Sequence, residues 1–170
     1  MSRRLTALVA LTLLPAVASA QALAAALPLY DDVKDNVIKS AELMPEANYA
    51  FKPTPAVRSF GQLIGHIANA NFAICATSKG EKSPAMQDFE KNTEKAALVK
   101  AVKDAFAYCD AVYKMPDASL SAQTELFGMK MSRMGFALLN VTHDNLHYGN
   151  LITYLRLKGL TPPSSSKNGI

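Results

Sequence analysis

The 170-residue chain has three histidines, two cysteines and no tryptophan, and only 19% of its residues are charged. Two cysteines exclude a disulfide-dense scaffold. The basic residues are scattered, without the clustering that a phosphate-tracking surface needs, so nucleic-acid binding is not expected. No internal repeat is visible. No segment shows sustained alternation of period two, which leaves a sheet without support. The apolar share is nearly half, at 49%. That composition describes a chain with a core, not a disordered one.

The N-terminus reads as a leader. Ser2-Arg3-Arg4 supplies positive charge, Leu5 to Leu14 is an uncharged and mostly apolar run, and Pro15 breaks it. Ala18-Ser19-Ala20 then matches a small-residue cleavage site, completing the three-part plan of a secretory signal peptide. The run is about half the ~20 residues needed to cross a bilayer. Residues 1–20 are therefore expected to be removed before Gln21, with Ala22-Leu23-Ala24 as a second candidate site. The paired arginines also admit twin-arginine export. Residues 21–170 then form one domain, periplasmic or secreted. The full chain carries a net charge of +4. Without Arg3 and Arg4 it has sixteen basic residues against fourteen acidic, a net +2. No later apolar run approaches membrane-spanning length, so no membrane association is expected once the leader is gone.

Four helical segments follow. The first spans about Pro28 to Leu43, with Val33, Val37, Ile38 and Ala41 at helical spacing. An extended stretch containing Pro53 and Pro55 leads to the second, from Ser59 to about Thr77, with Gly80 as its stop. Ser59 and Gln62 have the spacing of a capping box. A charged loop, Glu81 to Asn92, precedes the third helix, about Thr93 to Lys114, whose stripe includes Leu98, Val102, Phe106 and Cys109. After a polar loop the fourth runs from about Ser132 to Lys158, ended by Gly159 and Pro162-Pro163. The expected fold is an all-α four-helix bundle.

All three histidines fall inside helices. His143 and His147, four residues apart, project from one face of the fourth helix. His66 lies midway along the second. In a bundle such a pair and a third histidine can meet around a divalent metal, leaving positions open for water or substrate. The string His143-Asp144-Asn145-Leu146-His147 has Asp where a zincin protease has its general-base Glu, which argues against that class.

The chain resembles the DinB-like superfamily of metal-binding four-helix bundles. The residues that carry the likeness are Arg58-Ser59-Phe60-Gly61-Gln62-Leu63-Ile64-Gly65-His66-Ile67-Ala68, then His143-Asp144-Asn145-Leu146-His147-Tyr148-Gly149-Asn150. The tail from Tyr154 to Pro163 completes it. The resemblance implies an up-down-down-up bundle with a long connection between helices 2 and 3. It also implies a zinc, nickel or iron ion held by His66, His143 and His147. Some relatives are thiol transferases or isomerases that use small cytosolic thiols, a poor match for an exported chain.

Two functional classes follow: a metal-dependent hydrolase or transferase of unknown substrate, or a non-catalytic metal- or small-ligand-binding module. A small molecule is the expected partner, and a homodimer is compatible with the sequence. Gln62, Asn69, Asn140 and Asn150 are placed to support the histidines, with solvated helix polar groups as the simpler expectation. Tyr148 and Tyr154 are expected to pack with wet hydroxyls. Asp144 reads as a helix-surface carboxylate. Cys75, nine residues past His66, points away from the site. Export permits a Cys75–Cys109 bridge, but two buried free thiols are the expected state. Met129, Met131 and Met134 read as packing filler.

Overall fold

The computed structural model describes residues 22–167. The expected leader, residues 1–20, lies outside them. The main elements are α1 (Ala22–Leu43), α2 (Phe60–Lys79), α3 (Lys95–Cys109), the strands β1 (Gln123–Leu126) and β2 (Met129–Ser132), α4 (Arg133–Leu157) and a short α5 (Pro163–Lys167).

Side-chain partners give the helix directions. Tyr30 and Lys34, midway along α1, bond Phe106 and Asp110 at the end of α3, while Lys95 at the start of α3 reaches Glu42 and Met44 at the end of α1. These two helices are antiparallel. The Cys75–Cys109 bridge and the approach of Gly61 to Leu98 make α2 and α3 parallel. Asn71 meets Asp144, and Tyr154 meets Arg58 just before α2, so α2 and α4 are antiparallel. The result is the up-down-down-up bundle. Its core is filled by Tyr30, Phe60, Ile64, Phe106 and Leu151, all at most 1% exposed.

Local signals in the sequence set several boundaries. Ser59 Oγ accepts the Gln62 N–H at 3.1 Å and Gln62 Oε1 accepts the Ser59 N–H at 2.9 Å, a complete capping box. Gly80 closes α2 in the left-handed conformation, φ 74°. Ser132 caps α4 through the Gly135 N–H.

Other boundaries depart from the sequence expectation. The first helix begins six residues earlier, with Pro28 inside it. Leu23 and Ala26 are buried, and that packing offsets the hydrogen bond Pro28 cannot make. The third helix stops at Cys109 and continues as a 3-10 turn, Val112–Lys114, which keeps Val112 and Tyr113 in the core. The polar loop before α4 contains a hairpin whose strands pair Leu126 with Met129 across a two-residue turn. Both turn residues have positive φ, Phe127 at 53° and Gly128 at 76°. Asn or Gly is usual at the first position, and an L-residue there costs roughly 1–2 kcal/mol. Four-residue strands are too short to leave a period-two signature.

The connection from α2 to α3 folds back across α2. A Cβ on Gly65 would sit 2.4 Å from the Phe89 carbonyl oxygen, so only glycine admits this crossing. Asn69 secures it, accepting the Phe89 N–H at 3.1 Å and donating to Asp88 at 2.7 Å.

Candidate metal centre

The crossing segment and the antiparallel pair α2/α4 bring the three histidines together. One nitrogen from each of His66, His143 and His147 lies within 4.8 Å of the others, and the rings are half-buried. His143 and His147, one turn apart, approach to 3.1 Å between their Nε2 atoms. His66 enters from the facing helix, its ring centre 4.7 Å from that of His147 and 5.3 Å from that of His143.

Each ring is addressed differently at its other nitrogen. His66 Nδ1 donates to Glu90 Oε1 at 2.7 Å, which leaves Nε2 with a free lone pair. Glu90 is held in turn by Arg58 at 2.8 Å. The Asn150 amide lies 3.4 Å from His147 Nδ1. His143 Nδ1 is buried without a hydrogen-bond partner, 3.8 Å from Asp144 Oδ1. A carboxylate behind a ligating histidine fixes its tautomer and raises its basicity. Glu90 occupies that position.

The electrostatics favour neutral, ligand-ready imidazoles at His66 and His147. Burial, followed by the neighbouring His143, His66 and Arg58, lowers His147 to about 4. Burial also lowers His66, with Glu90 working against the shift. Burial opposes ionisation of Glu90, yet Arg58 and His66 hold it below its ordinary value. Asp144 moves the other way: burial raises it to about 6, against the pull of His143 and Asn71.

Asp144 and Asn140 correct the sequence reading. Both are fully buried rather than solvated. Asp144 accepts from Asn71 at 3.1 Å and from Asn140 at 3.2 Å, and Asn140 also donates to Asn71. Tyr113 donates to Asn140 at 2.9 Å. This network backs α4 behind His143. The cysteines are a second correction, because they form a disulfide with a Cα–Cα distance of 5.3 Å rather than two thiols. Periodicity placed Cys75 and Cys109 on buried faces of neighbouring helices, but their axial register appears only once the helices pack.

Among the remaining candidates, Gln62 serves the capping box and Asn69 the crossing loop, rather than His66 directly. Tyr154 donates to the Arg58 carbonyl at 2.6 Å and Tyr148 to Ser164 at 2.7 Å. Met129 and Met131 pack against Ala70, Ile74 and Phe136, and Met134 against the main core, in keeping with filler. Glu90, Asn71 and Tyr113 were missed. Glu90 sits in a charged loop with no periodicity to single it out. The one available signal was Gly65, a mid-helix glycine beside a histidine, which marks a close backbone approach.

The donor set suits a divalent metal. Three imidazole nitrogens on one side are the usual protein share of an open site, and the 3.1 Å separation of two of them matches neighbouring ligands at ~2.0–2.1 Å bond lengths. The three histidines could hold such an ion.

Comparison with known proteins addresses the fold and the family. No curated protein matches the chain. A DinB-like protein from Bacillus cereus is 18% identical and superposes with a TM-score of 0.69, over 81% of this chain and 93% of that one. A DinB-like protein from Bacillus subtilis is 20% identical, TM-score 0.61, over 83% and 93%. A mycothiol-dependent maleylpyruvate isomerase is 15% identical, TM-score 0.62, over 76% of this chain and 60% of that one. At these identities the likeness concerns the fold alone. A family model described as the DinB superfamily matches residues 29–151, which takes in most of α1, all of α2 and α3 and the three histidines, and the chain belongs to that superfamily.

Proposed function

We propose that the mature protein is an exported metal-dependent hydrolase or transferase, with His66, His143 and His147 holding zinc, nickel or iron. The observation that carries this reading is the convergence of three imidazoles, one braced by Glu90, beside a cavity of about 750 Å³ that His147 lines. A divalent cation held there supplies Lewis acidity and lowers the pKa of whatever protic group it binds. The chain's own part is to orient and to shield. Glu90 fixes the His66 ring, Arg58 fixes Glu90, and the Asn71–Asn140–Asp144 network fixes the turn of α4 that carries His143.

Export is supported by the leader-like N-terminus and by the Cys75–Cys109 bridge, because disulfides persist in oxidising compartments. The same environment disfavours a free-thiol co-substrate, which tilts the reading from thiol transfer towards hydrolysis. Cleavage before Gln21, rather than after Ala24, retains the buried Leu23.

One observation favours the alternative, a non-catalytic binding module. Asp144 is fully buried and Glu90 is committed to His66 and Arg58, so among the described residues no carboxylate at the site is a free general base. Elemental analysis of untagged mature protein decides the metal. Stoichiometric metal that is lost in His147→Ala, with helicity retained, supports both readings, and its absence overturns the enzyme and leaves only a module that binds a small ligand without metal. Metal-dependent turnover of any member of an ester, amide or phosphoester library then selects the enzyme.

A further inference from the structure

The histidines do not sit at the bottom of one pocket. They stand between two cavities of opposite character. His147 lines the cavity of about 750 Å³, together with Lys52, Arg58, Asn150 and Thr153. His66 and His143 line another, of about 550 Å³, walled by Ala70, Ala73, Ile74, Met129, Leu139 and Phe127. Glu90 borders both. Both volumes lie in the range of small-molecule sites.

The first cavity carries excess positive charge. Its two cations are Lys52 and Arg58, and its one carboxylate is Glu90, already engaged by Arg58 and His66. Lys52 is exposed, and no carboxylate of the described residues pairs with it. The second cavity is apolar apart from its rim. Asn69, on that rim, spends its side chain on Asp88 and the Phe89 N–H.

Phe127 points to the use of the apolar cavity. It occupies the hairpin turn at φ 53°, where Asn or Gly is the unstrained choice, and it is 67% exposed. Neither turn geometry nor core packing calls for an aromatic there. A ligand chain lying in the cavity would cover it. Strain of this kind is typically retained at sites that bind.

We propose that the site takes an amphipathic carboxylate, above all an ester or amide that keeps a free carboxylate at the end remote from its alkyl chain. Its alkyl chain lies beneath the β1–β2 hairpin against Phe127, Ile74 and Met129. Its anionic end faces Lys52 and Arg58, and the central bond passes the three histidines. This assignment rests on the metal-site reading for its chemistry, but not for its two subsites.

The test titrates straight-chain carboxylates, acetate to octanoate, into the full mature protein loaded with Zn²⁺ and, separately, into chelator-treated protein. Binding is followed by calorimetry and by amide chemical shifts. Burial of each added methylene strengthens binding roughly fourfold, with shifts at Ile74 and Met129. Phe127→Asn, which suits the positive φ and so preserves the turn, flattens this dependence on chain length. Lys52→Gln weakens every acid by roughly fivefold, and alcohols of equal length bind correspondingly less well than the acids. Affinity independent of chain length overturns the proposal. So does a chain-length trend unchanged in Phe127→Asn, or equal binding of acids and alcohols. If the chain-length trend persists in protein that takes up no metal, the subsites stand and the metal reading falls. If metal binds and the trend is absent, only the subsite assignment falls.

Discussion

At the residue scale, the site depends on what stands behind each imidazole. Among the described residues, Glu90 is the one ionised group bonded directly to a histidine of the triad, through His66 Nδ1 at 2.7 Å. Replacing such a partner typically costs about 10–100-fold in metal affinity. Glu90→Gln keeps an acceptor but loses the charge, so competition titration with a chromophoric chelator is expected to show a loss of roughly tenfold, with helicity unchanged. His147 permits a pH prediction. Its folded value of about 4 lies below the ordinary 6.5, so the unfolded chain binds more protons between these pH values. Its contribution to stability is present above pH 6.5 and is lost as pH falls towards 4. In metal-free protein, His147→Gln is therefore expected to make the melting temperature fall less steeply than wild type across that window. Parallel slopes in the two proteins would remove the assignment. Asp144 has the opposite sign: its value is raised from 3.8 to about 6, so the folded chain holds more protons between these pH values and its contribution to stability is lost as pH rises through about 6.

At the element scale, the crossing of the α2–α3 connection over α2 decides where Glu90 stands. Gly65 permits the crossing because nothing larger than hydrogen fits beneath the Phe89 carbonyl. Gly65→Ala is expected to destabilise by roughly 1–3 kcal/mol through overpacking, and to weaken metal binding because Glu90 moves with the loop. Gly149 offers the control. It lies in α4 two residues past His147, and a Cβ there meets nothing within 4 Å. Gly149→Ala is expected to stabilise by roughly 0.5–1 kcal/mol through reduced chain entropy, without loss of metal. Denaturant unfolding and metal titration of the pair check both expectations. Equal behaviour of the two variants would mean that the crossing is not tight.

For the whole molecule, the Cys75–Cys109 bridge joins the parallel helices α2 and α3 across a sequence separation of 34. Closing a loop of that length restricts the unfolded chain by roughly 3–4 kcal/mol in the chain-entropy account. The double variant Cys75→Ala/Cys109→Ala is expected to lose about that much in unfolding free energy while retaining its metal. Reductant should lower the melting temperature of the wild type and leave the variant unmoved. The bridge lies in the core beyond the histidines, so metal addition and disulfide reduction are expected to act independently on stability. N-terminal sequencing of protein recovered from an exporting host is expected to begin at Gln21.

Residue order alone determined the four helices, the capping box at Ser59, the stops at Gly80 and Gly159, and the histidines as one set. Those features depend on neighbours three or four positions away, which periodicity and capping chemistry report directly. The placement of Glu90 behind His66, the burial of Asp144 and Asn140, the Cys75–Cys109 bridge and the hairpin under Phe127 were decided only by the packed bundle. Each depends on the axial register between helices or on the path of a loop. Register is set by the sum of many weak side-chain contacts across distant segments, and no local pattern encodes that sum.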